Sequence, residues 1–377
     1  MFFYKKLSFV YFILLTNLIY GFGYKSFKDS TNDVHYLSNT KLEKKLPYFV
    51  AELYEKNVEK LKNDFIVQNK IPKIIHFIWI GGELPCYLNF CINSWKKLHP
   101  EWQIILWDDL RVGGFKLQNQ FIYDAVVNVG SKVDILRLEI LKQMGGVYVD
   151  TDFFCLKPID ILTDMEYFNS SESIGNTLIN NGIIGCIPNH YIINDMLNEL
   201  SSGMISNKNI DNVLELAGPL FITNFFIRKY MDNKSYFSEN VLILPPSYFC
   251  SFPFKLRSRF WDNEIFLCDL IEEYTLAESF AVHLWNNSWI KVRDNRTLDF
   301  LNNLNLITKS TKINDLINAT DENGMTPLLI ATINNYKTEI EGLLRNGASI
   351  NLVDNDGLSI IDYAKKNGIQ YLFAPYL

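Results

Sequence analysis

The spacing of apolar and polar positions divides this chain into a lead-in, a long β/α body and a short repetitive tail. From Leu42 to Gln68, Phe49, Leu53 and Val58 with Leu61 and Phe65 recur at helical intervals among lysines and glutamates, which predicts a helical lead-in. Behind Pro72, the run Lys73-Ile74-Ile75-His76-Phe77-Ile78-Trp79-Ile80-Gly81-Gly82 is β-branched and aromatic and closes on two glycines. That is the pattern of a buried strand ending at a ligand-facing loop. A helical stretch from Tyr87 to Leu98 leads past Pro100 into a second strand, Trp102 to Trp107, ended by Asp108-Asp109. Strand, helix and strand in this order predict a parallel α/β sheet. Between Lys132 and Met144, Val133, Leu136, Ile140 and Met144 lie three or four apart, a helix that Gly145-Gly146 stops. The apolar strand Val147-Tyr148-Val149 follows at once. Further on, the pattern predicts strands around Leu178 to Ile187 and Val241 to Leu244. Helices are expected from Tyr191 to Leu200 and after Gly218-Pro219, with a last short apolar run from Phe280 to Leu284.

Composition narrows the class. With 377 residues, 48% hydrophobic and 14% aromatic, the chain can bury a large core. A net charge of -6 with no basic run beyond the N-terminus gives no electrostatic footprint for nucleic acid. Lys5 and Lys6 precede an apolar stretch from Leu7 to Tyr20, and Gly21 and Gly23 supply small residues, so residues 1–23 read as a signal peptide or signal anchor. Export permits disulfides among the six cysteines, Cys86, Cys91, Cys155, Cys186, Cys250 and Cys268. They lack the C-x-x-C spacing of a structural zinc site, and buried free thiols are the favoured reading.

The chemistry concentrates at Asp150-Thr151-Asp152, where two carboxylates two residues apart stand at the end of an apolar strand. On an extended segment both face the same side. Carboxylate oxygens so placed suit a hard divalent cation, and a cation there neutralises a leaving diphosphate. Asp134 and Arg137 lie three apart on one helical face, either as a local ion pair or as a pair of ligand contacts. In the tail, Asp321-Glu322-Asn323-Gly324-Met325-Thr326-Pro327-Leu328-Leu329 recurs as Asp354-Asn355-Asp356-Gly357-Leu358-Ser359-Ile360-Ile361, with Ala331 matched by Ala364. The period of roughly 33 residues and the turn-then-helix pattern resemble ankyrin repeats, which bury a core only by stacking on neighbours. The repeats are therefore expected to dock on the preceding domain.

Together, Ile71-Pro72-Lys73-Ile74-Ile75-His76-Phe77-Ile78-Trp79, Asp134-x-x-Arg137 and Gly145-Gly146-x-Tyr148-x-Asp150-x-Asp152 resemble the DXD-containing sugar transferases. These include fungal outer-chain mannosyltransferases and α-1,4-glycosyltransferases and, more distantly, the large clostridial glucosylating toxins. The resemblance covers roughly residues 71–290. It implies an α/β fold with a GT-A type nucleotide-sugar-binding sheet over residues 71–305, behind the lead-in of residues 24–70. A small all-α ankyrin-like extension, residues 306–377, would follow.

The resemblance also implies roles. Trp79 would stack on the nucleotide base, Asp134, Arg137 and Tyr148 would contact the donor, and Asn181, beside Asn180, would border the sugar. Trp289, with Asn286, Asn287 and Ser288, would close over the donor. Asp150, Asp152 and His283, the last from Val282-His283-Leu284-Trp285-Asn286, would hold Mn²⁺ or Mg²⁺, with Arg137 steadying developing charge. No further carboxylate stands out as a general base, and the resemblance implies retention, the departing diphosphate taking the acceptor proton. The implied partners are a UDP- or GDP-sugar and a glycan or protein acceptor, with a protein partner for the repeats. A rival reading makes the chain an exported interaction protein with an inactive transferase platform. An exported transferase with such a tail also suggests a host-directed effector.

Overall fold

The computed structural model describes residues 45–58, 70–173, 177–205, 216–238, 240–261, 265, 267–286, 318, 320, 324–335, 337–345 and 348–376. The expected signal segment, residues 1–23, and Asn287, Ser288 and Trp289 of the expected lid lie outside them. No described helix is long and apolar enough to cross a membrane.

A six-stranded mixed sheet organises the body, in the order β2-β1-β3-β6-β5-β7. Its strands are β1 (Ile74–Ile78), β2 (Gln103–Trp107), β3 (Gly146–Val149), β5 (Tyr167–Ser173), β6 (Thr177–Cys186) and β7 (Val241–Leu244); β4 (Phe153–Cys155) and β8 (Ala281–His283) form a separate pair. β1 runs parallel to β2 and β3, as the strand-helix-strand pattern predicts. β6 is antiparallel to both β3 and β5, so the sheet beyond β3 is mixed.

Helices α1 (Lys45–Val58), within the lead-in, and α2 (Cys86–Leu98) flank the sheet. The short α3 (Asp109–Gly113) and α4 (Gln120–Ala125) lead into α5 (Val129–Met144). Then come α6 (Tyr191–Ile205), α7 (Pro219–Asp232), α8 (Arg257–Trp261) and α9 (Leu267–Tyr274). α7 packs on β6 and α1 on β7, while α5 packs against β3 and α6. α5 is buried over most of its length, so Ile135, Leu138 and Leu141 are as fully enclosed as Leu136 and Ile140.

β5 is absent from the sequence expectation because its Asn169-Ser170-Ser171-Glu172 run looks like a loop. Tertiary pairing makes it a strand: it is antiparallel to β6 and parallel to β7, and Ser171 Oγ donates to the Leu244 carbonyl at 3.0 Å. Cys91, Cys155, Cys186 and Cys250 are buried free thiols.

The tail folds as α10 (Pro327–Ile333), α11 (Lys337–Arg345) and α12 (Ile360–Lys366). Thr326 caps α10, and Ser359 and Asp362 cap α12 reciprocally. The repeated alanines, Ala331 and Ala364, are both buried. α10 packs against α2 as well as α11 and α12, which seats the tail on the body.

The turn between α5 and β3 is fixed from both sides. Gly145 and Gly146 have φ of 63° and 88°, and a Cβ on Gly146 would sit 2.6 Å from the Ile74 carbonyl oxygen. His76 Nε2 lies 2.9 Å from the Gly145 carbonyl, and its Nδ1 accepts from Trp107 Nε1 at 3.1 Å, so the ring is neutral and carries its proton on Nε2. Burial lowers the His76 pKa to about 4, and burial lowers His190 to about 4 as well. In the unfolded chain both take up protons near pH 6.5. Stability should therefore be complete above pH 6.5 and fall as pH drops toward 4, by about 3 kcal/mol for each such histidine. Urea midpoints between pH 7.5 and 4.5 check this, and His76→Gln should show a shallower acid limb.

Candidate active site

With His76 opposite Tyr148 in parallel register, β1 and β3 leave the sheet at the same edge. Trp79 emerges from one and Asp150 to Asp152 from the other. The chain does not stay extended there, contrary to the sequence expectation. It turns at Thr151-Asp152, and the Phe153 N–H returns to the Asp150 carbonyl at 3.2 Å. The turn, rather than strand alternation, brings the two carboxylates together.

β4 continues from the turn and pairs antiparallel with β8, setting Phe153 opposite His283. From α2, Trp95 Nε1 donates to the Phe153 carbonyl at 2.9 Å and supports β4 from behind. The imidazole of His283 lies between the Phe153 ring, 4.2 Å away and nearly parallel, and Trp285 at 3.9 Å. Ligand atoms of Asp150, Asp152 and His283 then lie within 4.8 Å of one another, the one such group among the described residues.

Each member is held. His283 Nε2 is 3.2 Å from Asp152 Oδ1. Trp285 has a left-handed backbone, φ 57°, which costs a bulky residue about 1–3 kcal/mol. Just after this bend, the Asn286 N–H donates to Asp152 Oδ2 at 2.7 Å. Burial works against both charges of the pair. Even so, the His283 charge and the Asn286 N–H hold Asp152 below the usual carboxylate range, and Asp152 holds His283 above its ordinary value. Asp150, the most open of the three, accepts from Tyr148 Oη at 2.5 Å, and its N–H donates to the Gly182 carbonyl at 2.7 Å.

Arg137 lies behind Asp150. Its Nη2 is 2.7 Å from Asp134 Oδ1 and its Nη1 is 3.6 Å from Asp150 Oδ1; Nη1 also donates to the Asn181 carbonyl. The guanidinium stacks over the Tyr148 ring at 4.4 Å. Burial opposes its charge, but Tyr148 and the carboxylates of Asp134, Asp150 and Asp152 hold its pKa above the ordinary guanidinium value. Burial pushes the Asp134 carboxyl up to about 7 against the pull of Arg137, while Asn181 Nδ2 donates to it at 2.9 Å. Asp134, Arg137, Tyr148 and Asn181 thus form one connected group beneath the acidic turn. Asp134 and Arg137 form an ion pair, and Arg137 also reaches the acidic turn.

Trp79 is half-buried, its Nε1 has no hydrogen-bond partner among the described residues, and its N–H donates to the Trp107 carbonyl at 2.9 Å. Just beyond it, the Gly81 N–H donates to the Asp109 carboxylate.

Sequence reasoning missed Glu172. It is 2% exposed on β5, and burial pushes its carboxyl up to about 7 against the charge of His283 and the Asn180 amide. No motif marks it; the one signal is a lone carboxylate in the polar run Asn169-Ser170-Ser171-Glu172.

Residues 85–169 match the glycosyltransferase sugar-binding region containing the DXD motif. Asp134, Arg137, Asp150 and Asp152 fall within that segment; His283 and Trp79 fall outside it. Inositol phosphoceramide mannosyltransferase 1 of Schizosaccharomyces pombe is 31% identical over 42% of this chain and 52% of its own length. An uncharacterized glycosyltransferase of Acanthamoeba polyphaga mimivirus is 34% identical over 33% of this chain and 55% of its own. Subversion of eukaryotic traffic protein A of Legionella pneumophila is 27% identical over 39% of this chain and 28% of its own. The matches thus span about half the length of the fungal and viral relatives. Among solved structures, the PaToxG glycosyltransferase overlaps 48% of this chain and 78% of that chain at 22% identity with a TM-score of 0.35, a superposition too loose to place any residue of the site.

Two substitutions test the arrangement. Arg137→Leu leaves Asp134 buried and unpaired and should destabilise the fold by about 3–5 kcal/mol, with much of the loss recovered in Arg137→Leu/Asp134→Leu; denaturant unfolding measures both. A Cβ on Gly182 would sit 2.7 Å from Asp150 Oδ2. Gly182→Ala should therefore displace that carboxylate and weaken Mn²⁺ binding, read by calorimetric titration, by roughly tenfold or more.

Proposed function

We propose that this chain is a metal-dependent, retaining glycosyltransferase of the GT-A type. It moves a hexose or N-acetylhexosamine from a UDP- or GDP-sugar to a glycan or protein acceptor. One observation carries the reading: Asp150, Asp152 and His283 converge within 4.8 Å, and the two aspartates lie in the segment matching the sugar-binding region.

The donor set suits the expected ion. Two carboxylates and an imidazole, one carboxylate oxygen already fixed by the Asn286 N–H, would suit Mn²⁺ or Mg²⁺ held by Asp150, Asp152 and His283, with the proton between His283 and Asp152 released on binding. A cation bound there supplies charge neutralisation for a leaving diphosphate. Arg137 keeps its charge at every working pH and steadies Asp150 from behind. Tyr148 aligns Asp150 through its hydroxyl, and Asn181 ties β6 to Asp134. Trp79, at the same edge, offers an indole face to the nucleotide base. With retention, the diphosphate oxygen that leaves the sugar takes the acceptor proton on the same face. The first residues direct export, and the ankyrin-like tail, residues 306–377, selects a protein partner, an arrangement that suits a host-directed effector.

The purified chain incubated with Mn²⁺ and a panel of UDP- and GDP-sugars should consume one donor. The fungal relatives make GDP-mannose with inositol phosphoceramide the first pair to include. Chelation should abolish turnover, and Asp152→Asn should lower it by roughly a hundredfold or more, since several kcal/mol of charge stabilisation are removed. Proton NMR of the product reads the anomer. No turnover with any donor would favour the inactive platform, and an inverted anomer would remove the retaining step.

A further inference from the structure

Glu172 is a buried carboxylate that the scheme above leaves unused. It faces Leu178 across the β5–β6 pair, and its Oε2 accepts from Asn180 Nδ2 two residues farther along β6. Asn180 has no freedom to flip. Its Oδ1 accepts from the Gly182 N–H at 2.6 Å and the Ile183 N–H at 3.1 Å, so its NH₂ must point at Glu172. Glu172 Oε1 has no hydrogen-bond partner among the described residues, although the side chain is 2% exposed. Such a group is retained at a cost unless something completes it.

Its surroundings say what that is. A Cβ on Gly182 would crowd both Asp150 Oδ2, at 2.7 Å, and Asn180 Oδ1, at 3.1 Å, so the Glu172–Asn180 pair and the acidic turn meet over one glycine. His283 and Asp150 are the charges Glu172 feels most. It is not one of the three groups gathered closely enough to hold an ion, and the neighbouring Asp150 carboxylate repels an anion. A neutral polyol remains, and Asn181, already expected to border the sugar, is the next residue along β6.

We propose that Glu172 reads the transferred sugar, its Oε1 hydrogen-bonding one sugar hydroxyl while Asn180 fixes the other oxygen. This assignment rests on the nucleotide-sugar reading of the site. A polar site completed by a substrate hydroxyl rejects the analogue that lacks it far more strongly than an apolar pocket does.

The test uses the full chain with Mn²⁺, UDP-glucose, GDP-mannose and the monodeoxy analogues of each sugar. In the wild type, one monodeoxy donor should lose roughly tenfold or more in kcat/KM against its parent. Glu172→Met, which removes the open oxygen at similar volume, should lower kcat/KM for the parent donor by roughly tenfold and abolish the discrimination, with Glu172→Gln between the two. Calorimetric affinity for UDP or GDP with Mn²⁺ should stay unchanged in both variants. A purely structural glutamate would shift the melting temperature and leave discrimination among deoxy donors as in the wild type, which overturns the proposal while leaving the transferase reading intact. A wild type that discriminates against no monodeoxy donor overturns it without any variant. A wild type that binds neither nucleotide and consumes neither donor removes both readings.

Discussion

Acid groups can gather at the end of β3 because Arg137 is buried among them. Asp134, Asp150 and Asp152 all act on that one guanidinium, itself 4% exposed. At an effective dielectric of about 20, opposite charges some 4 Å apart attract by about 4 kcal/mol, and like charges repel equally. Without the cation, the turn would have to open toward water or take up protons. Arg137 is also the least adaptable choice for the position: a lysine would supply the charge but not the fork that reaches Asp134, Asp150 and the Asn181 carbonyl together.

That constraint explains the shape of α5. A surface helix keeps its charges outward, but this one carries Asp134, Arg137 and Glu139 into the interior, each with a partner. Glu139 accepts from the Gln118 and Asn119 N–H groups at 2.8 Å, which pins the start of α4 against α5. Asp134 and Arg137 take the opposite task and shape the site. The helix ends at Gly145 because the chain must reverse there, with His76 receiving it on β1. One helix, its glycine stop and one strand therefore form a single rigid lever beneath the carboxylates, which preorganises them.

This lever was legible in the sequence because its parts are adjacent. Asp134, Arg137, the glycines and the D-x-D lie within twenty residues or so, and their residue types have few alternative uses in that order. Parallel pairing of β1 with its neighbours followed from the same local pattern. What stayed hidden depends on distant contacts. The turn at Thr151-Asp152 was read as extended because alternation is the default behind a strand, whereas its shape depends on β8 pairing with β4. β5 looked like a loop because its polar side chains find partners on β7 and within the sheet, which periodicity cannot show. Glu172 was invisible for the same reason. His283 came from resemblance alone, for a single histidine after an apolar run carries no chemistry of its own.

The dependence on β8 gives the site its logic. Asp152 and His283 are far apart in sequence, and their contact closes a long loop, so neither the fold nor the acidic group is complete until β8 has added to β4. Phe153 and Trp285 clasp the imidazole from either side, and the strained backbone at Trp285 is maintained by its Nε1–H bond to the Phe252 carbonyl at 2.7 Å. The bend in turn aims the Asn286 N–H at Asp152. Strain at one residue is thus balanced by packing and two hydrogen bonds, and what it secures is the orientation of a carboxylate. The local lever from β3 fixes Asp150, while the long-range clasp from β8 fixes Asp152 and His283. The three-residue group exists only where these two supports, one local and one long-range, meet.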